Sequence, residues 1–196
     1  MICVIIPTLN SDRVLVPTLA ALVAGSAAGL VREGILADGG SRDETGKIAD
    51  AAGCDFMQGP ADPGARLRAA ARAARGSWLM FLDPAAMLEE GWTREVRAFI
   101  ETAERTGVSE RKAAAFRLRV EGFGLKPRVK EAAAAARYAI TGRPRAEQGL
   151  LISKRFYDSL GGHGEGARAH RRLLARIGRR VVALRTRVVL AAQPTA

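Results

Sequence analysis

The stretch GILADGGSRDETGKIADAA, residues 34–52, changes character twice. GILA (34–37) is a short apolar run and reads as a strand. The segment from Arg42 to Ala52 reads as a helix. Between them, DGGSRDET (38–45) concentrates turn residues and polar groups. Asp38 ends the strand, and Gly39 and Gly40 permit a tight turn and a close backbone approach to a ligand. Ser41 and Glu44 have the spacing of a capping box, which predicts that the helix starts there. The N-terminus of such a helix offers free N–H groups and a field that favours an anion. The stretch therefore reads either as a capped strand–turn–helix junction or as a ligand site built on one. It is neither a P-loop nor a GxGxxG fingerprint.

The same alternation continues outward. ICVII (2–6) reads as a strand, followed by a helix from Asp12 to Ala24. CDFM (54–57) is a third strand, GARLRAAARAARG (64–76) a helix closing at Gly76, and SWLMFL (77–82) a fourth strand before a helix from Glu90 to Arg105. Strands alternating with helices of this length predict βαβ units, a parallel sheet and right-handed crossovers. Beyond residue 110 the pattern loosens. AAAFRLRV (113–120) and GLLIS (149–153) read as strands, and KEAAAAARYAI (130–140) as a helix. A basic helix covers 168–177, and VVALRTRVVLAA (181–192) holds one or two further strands. With no internal repeat or long linker, a single α/β domain over 1–196 is the economical assignment.

Bulk properties narrow the function classes. A chain of 196 residues suits one domain with a real core. Its net charge of +11 favours anionic partners. Cys3 and Cys54 look like small buried hydrophobes, there is no Cys-x-x-Cys, and two histidines are too few for a His-rich metal site. A reduced, cytoplasmic setting is expected. No basic region precedes the first apolar run and Pro7 cuts it short, so no signal peptide is expected. Val14–Val31 lacks charge and approaches the length of a membrane span. Pro17, Gly25 and Gly29 interrupt it, and Leu15, Leu19 and Leu22 share one helical face, so a half-buried helix ending near Gly25 is the better reading. The arginine-rich helix within 167–180 has two readings: peripheral contact with an anionic inner membrane face, or a solvated helix docked on the sheet by Leu173, Leu174 and Ile177. The lack of a Trp or Phe anchor favours docking. Trp78 and Trp92 read as core and core margin. No aromatic-interleaved basic motif or zinc module appears, so no nucleic acid is expected.

In open parallel sheets, ligands bind beyond the carboxyl ends of the strands. Here those ends carry PTLN (7–10), DGGSRDET (38–45) and DPAA (83–86). IIPTLN, DGGSRDET, ARGSWLMFLDP, AAAFRLRV and EQGLLISKRFYDSLGG occur in that order through most of the chain. Together they resemble a family-2 glycosyltransferase of the GT-A fold, most closely the short bacterial subgroup without a large acceptor domain. The resemblance implies a three-layer sandwich around a mostly parallel sheet. It implies a nucleoside-diphosphate sugar as donor, an inverted glycoside as product, and an acceptor that can be lipid-linked. Residues 1–90 would form the nucleotide-sugar-binding half and 91–196 the acceptor-side half. Pro7, Thr8, Asn10, Asp38, Gly39 and Ser41 would hold the nucleotide. Asp83 would be the first acidic residue of a DxD-type motif near ribose and diphosphate. Gln148, Gly162 and His163 would face the acceptor. A carboxylate such as Asp38 accepts charge-assisted hydrogen bonds from base N–H or ribose O–H groups.

The chain also departs from that pattern. Transfer requires stabilisation of the leaving diphosphate, usually by Mg or Mn, and a general base for the acceptor hydroxyl. The second Asp of the DxD-type motif aligns with Ala85, whose methyl group cannot ligate a hard cation, leaving Asp83 as the possible metal ligand. The family's acidic pair before a late helix aligns with HGEGARAH (163–170), where Glu165 is the one carboxylate. Its Asp-Gln-Gly appears as Glu147-Gln148-Gly149, and Arg68 and Ala70 stand where the subgroup often has Asn and Gly. Two readings follow. In the first, the enzyme works without a tightly held metal, Arg66, Arg68, Arg143 or Arg145 offsets diphosphate charge, and Glu147 or Glu165 is the base. In the second, the chain is a catalytically impaired homologue that binds a nucleotide sugar or a partner.

Overall fold

Ile2–Thr8 forms the central strand β1, and its side chains feed two cores: Ile2, Val4 and Ile6 one, Cys3 and Ile5 the other. A strand sealed on both faces carries a continuous apolar run, which is why ICVII is legible as one. The structure, a computed structural model, describes residues 1–122 and 125–190. β2 (Val31–Asp38) and β4 (Trp78–Phe81) flank β1 in parallel, and β3 (Asp55–Gln58) pairs outside β2. Helices α1 (Asp12–Ala27), α2 (Thr45–Ala51) and α3 (Pro63–Ala73) make the crossovers. The order β3-β2-β1-β4 is that of half a doubly wound nucleotide-binding sheet.

Beyond β4 the sheet changes direction. β7 (Leu150–Ser153) pairs antiparallel with β4, and β6 (Ala113–Val120) with β7. β8 (Val181–Leu190) lies parallel to β6, and β5 (Ala86–Leu88) closes the order antiparallel to β8. One eight-stranded sheet results, in the order β3-β2-β1-β4-β7-β6-β8-β5. On one face pack α1 and α4 (Trp92–Arg105), with Trp78 and Trp92 both in that core. On the other pack α3, α6 (Lys154–Ser159) and α7 (Ala169–Ile177). α5 (Leu125–Thr141) lies along β6.

Several local expectations change. α1 runs past Gly25 to Ala27, because that glycine is a packing residue: a Cβ there would meet the Trp92 ring at 2.6 Å. Cys54 is half-buried rather than core. α2 begins at Thr45, later than the capping-box reading predicted. The run 181–192 contains a single strand over its described part, and residues 191–192 lie outside the described residues. β5 and α6 were not foreseen. In α7, Leu173, Leu174 and Ile177 are buried against the second core while Arg171, Arg172 and Arg176 are exposed, which is the docked arrangement. Among the described residues, no helix is long and apolar enough to cross a membrane.

Candidate functional site

β1 and β2 end side by side, with Thr8 opposite Asp38 in register. Asp38 is 0 % exposed, and its carboxylate is satisfied within the protein. Oδ1 accepts from the hydroxyls of Thr8 at 2.9 Å and Ser41 at 2.5 Å. Oδ2 accepts from the backbone N–H groups of Gly40 at 2.8 Å and Ser41 at 2.7 Å. Burial alone would raise its pKa, but the bonds from Ser41, Gly40 and Thr8 outweigh burial and hold the carboxyl below its usual range. A carboxylate has about four acceptor positions. All four point into the loop, so Asp38 shapes the loop and offers no free oxygen to a ligand in this conformation.

The predicted capping box does not form. The Ser41 hydroxyl is drawn to Asp38 and accepts the Asn10 N–H at 2.8 Å. Asp43 takes over at the start of α2, accepting the N–H groups of Thr45 at 3.1 Å and Asp12 at 3.0 Å. Asn10 is the one non-glycine residue with positive φ among the described residues (φ 49°), a conformation Asn tolerates better than most. Its Oδ1 accepts the Arg42 N–H at 2.9 Å, which ties the β1 loop to the β2 loop a second time.

Arg66 lies beneath this turn, 6 % exposed, donating from Nε to the Ala37 carbonyl at 3.1 Å and from Nη1 to the Pro60 and Ala61 carbonyls at 3.1 and 3.2 Å. A Cβ on Gly39 would come within 2.6 Å of Nη1, so a side chain at position 39 would displace the guanidinium. Among the described residues no carboxylate lies within ion-pair distance of Arg66. It adds positive charge under the loop, part of which acts on the Asp62 carboxylate.

Beyond the ends of β1 and β4 lies a hollow of about 130 Å³, lined in part by Pro7, Leu67, Phe81, Asp83, Ala146 and His170. Burial raises the Asp83 pKa. The negative charge of Glu147 adds to that rise, while the Ala85 N–H, donating to Oδ1 at 2.9 Å, and Lys130 oppose it. Among the described residues, no group of three or more His, Cys, Asp or Glu is placed to hold a metal ion. Asp83 is the one carboxylate lining the hollow, and a single carboxylate does not amount to a site for a hard cation.

Glu147 sits in a 3₁₀ turn (Ala146–Gln148), half-buried, with Oε2 3.5 Å from Arg145 Nε. Burial would raise its pKa, but its own backbone N–H and Arg145 hold it below the usual range. Glu165 is exposed on the loop before α7 and does not line the hollow. The residues expected to face an acceptor are instead internal. Gln148 donates from Nε2 to the Phe116 carbonyl and accepts from the Arg145 N–H, both at 2.8 Å. Gly162 is buried with φ 62° against the Tyr157 ring, and His163 is 0 % exposed with both ring nitrogens bonded inside the protein. Arg143, Arg145 and Glu147 line a separate cavity of about 180 Å³ with Arg137 and Arg171. His170 and Tyr157 went unnoticed in the sequence. The available signal was a pair of histidines seven residues apart around a glycine-rich loop, and nothing local says that they meet.

Against known proteins, the pattern of Glycosyl transferase family 2 matches residues 3–122. The chain belongs to that family, and its fold is the GT-A fold. No curated protein sequence matches it. Among solved structures, S. aureus TarS 1–349 in complex with UDP-GlcNAc is 14 % identical, with TM-score 0.73, over 100 % of this chain and 59 % of that one. M. tuberculosis glucosyl-3-phosphoglycerate synthase in complex with Mn²⁺, UDP and glucosyl-3-phosphoglycerate is 20 % identical, with TM-score 0.65, over 100 % of this chain and 72 % of that one. The chain thus spans about three fifths of the TarS fragment's length. At these identities the likeness is one of fold.

Proposed function

We propose that this protein is a glycosyltransferase that moves a sugar from a nucleoside diphosphate to an acceptor hydroxyl with inversion. The observation that carries this reading is the laced pair of loops after β1 and β2, preformed at the carboxyl edge of the sheet beside Asp83. Family membership supports it, and so do the nucleotides found with fold relatives: UDP-GlcNAc with TarS, UDP with the mycobacterial synthase. Residues 1–90 form the donor half. Pro7, Asn10, Gly39 and Ser41 shape the surface that the nucleotide meets, and Thr8, Asp38 and Arg66 hold that surface in place. Residues 91–196 form the acceptor half.

In the transfer, the acceptor oxygen bonds to the anomeric carbon as the bond to the diphosphate oxygen breaks, and the hydroxyl proton leaves to a base. Glu147 suits that role better than Glu165. It stands near enough to Asp83 and His170 to act on their charge states, and it stays ionised at neutral pH. Positive charge from Arg66 and Arg68 opposes the charge growing on the diphosphate. In the mycobacterial relative Mn²⁺ is present. The residues at Asp83 do not form such a site here. Nothing in the comparisons favours an impaired binding homologue.

Thermal shifts with UDP-, GDP- and dTDP-sugars, with and without Mn²⁺, test the reading. A ligand at about 100 times its Kd adds about 2.7 kcal/mol of stability. At least one nucleotide should raise Tm and one sugar donor should be consumed, and silence across the panel would reject the proposal.

A further inference from the structure

The two histidines of the chain form a hydrogen-bonded chain with a buried tyrosine. Their rings lie nearly parallel, 5.3 Å apart at 17°, with His163 Nε2 3.0 Å from His170 Nδ1. At the other end the Tyr157 hydroxyl lies 2.8 Å from His163 Nδ1. Gly161 and Gly162, with φ 75° and 62°, hook the backbone so that His163 returns over the tyrosine, and the Arg176 side chain holds the hook by its Leu160 and Gly162 carbonyls. Phe81 of β4 meets the His163 ring edge-on at 4.8 Å.

The direction of the protons follows from counting donors and acceptors. The Tyr157 oxygen already accepts the His163 backbone N–H at 3.0 Å. Its own proton has one acceptor among the described residues, His163 Nδ1. His163 then carries its proton on Nε2 and donates it to His170 Nδ1, which leaves the His170 proton on Nε2. The opposite order would strand the buried tyrosine O–H at a cost of about 1–3 kcal/mol. His170 Nε2 has no protein partner among the described residues. His170 is partly exposed and lines the hollow with Asp83 and Pro7, which leaves its Nε2 to a group bound there.

Resting on the nucleotide-sugar reading above, we propose that the Tyr157–His163–His170 chain presents His170 Nε2–H as a fixed, neutral hydrogen-bond donor to an oxygen of the bound nucleotide in the hollow beside Asp83. Apart from Asp83, the lining residues Pro7, Leu67, Phe81 and Ala146 bring no charged or polar side chain. Asp83 supplies an acceptor and His170 the matching donor. His170 is the contact residue, and Tyr157 and His163 are positioning residues. Burial keeps both rings neutral. Burial lowers His170 against the opposing pull of Glu147. Burial, His170 and Arg176 lower His163, and burial raises Tyr157, with Asp158 adding to the rise and Arg68 and Arg176 opposing it. Asp83 faces the same hollow.

Because the chain has two histidines, nitrogen-15 NMR of the whole protein reads both rings directly. Both should hold the proton on Nε2, and neither should titrate between about pH 5.5 and 8, the range where a free imidazole does. Either ring titrating near about 6.5, or His170 protonated on Nδ1, would overturn the tautomer assignment. Tyr157→Phe removes the first donor and should change the His163 and His170 nitrogen shifts. Binding is measured with UDP, uridine and pyrophosphate. His170→Ala should weaken UDP about tenfold, equivalent to about 1.4 kcal/mol. His170→Gln, which keeps an amide N–H, should recover most of that loss. A parallel loss for pyrophosphate places the accepting oxygen on phosphate, and one for uridine places it on ribose. His170→Ala binding UDP like the wild type, or His170→Gln no better than His170→Ala, would refute the donor role. A wild-type protein that ignores UDP, GDP and dTDP alike would reject the nucleotide reading and the ligand with it, whereas the nitrogen spectrum decides the tautomers on its own.

Discussion

Asp38 illustrates how a residue of the expected type can do a different job from the expected one. Its position after β2 was legible, because a strand-ending Asp before Gly-Gly is a strong local pattern. Its saturation was not, because two of its four donors come from Ser41, and Thr8 approaches from a distant strand. The same competition cancelled the capping box: the Ser41 hydroxyl is turned toward Asp38, and its oxygen accepts the Asn10 N–H instead of one from the helix start. Asp38→Asn should destabilise the protein by about 1–3 kcal/mol, the cost of unpairing buried donors, measurable by urea denaturation. Because the folded pKa of Asp38 is lowered, its contribution is complete above the ordinary carboxylate value of about 3.9 and fades as pH falls below that. The Asn variant should therefore lose part of the acid sensitivity of Tm. At position 85, the variant Ala85→Asp adds a carboxylate two residues from Asp83. Mn²⁺ should then raise Tm in the presence of UDP by more than it does in the wild type. An unchanged response would show that a second carboxylate is not what the site lacks.

At the scale of elements, legibility followed length and burial. β1, β2 and β4 carry uninterrupted apolar runs and α4 a clear amphipathic stripe, so all four could be located. β5 has three residues and α6 six, too few for a period to show. The basic helix α7 was recognised as a helix that docks, but not what it docks against. The contact is narrow. A Cβ on Gly64, in the first turn of α3, would lie 1.9 Å from the Gly164 carbonyl oxygen and 2.6 Å from the Ala169 Cβ. Gly64→Ala should thus push the α7 entry off α3, costing about 1–3 kcal/mol by overpacking. It should also perturb the His170 imidazole signals, while a surface change such as Arg172→Gln should leave them in place.

At the scale of the whole molecule, order of motifs mattered more than any single motif. Five short stretches in sequence implied the family, yet the same stretches could not reveal that residues from β1, α3, β4 and α7 converge on one hollow. Such convergence depends on packing across the second core, which has no local signature. The net charge of +11 has a consequence at this scale too. Attraction of an anionic nucleotide is screened by salt, so the apparent Kd for UDP should rise with NaCl concentration in isothermal titration, by more than it rises for uridine.

β8 threads between β6 and β5, two strands made long before it. A nascent chain emerging from the ribosome can assemble β1 to β4 early, but β5 and β6 must wait, unpaired along these edges, until residues 181–190 arrive. Folding of this half is therefore gated by translation of the last described strand. During that interval, exposed strand edges invite pairing with other chains. A stalled or shortened polypeptide ending at Arg180 should aggregate rather than accumulate as a smaller soluble domain, and pulse-chase solubility measurements on staged truncations would show where the dependence begins.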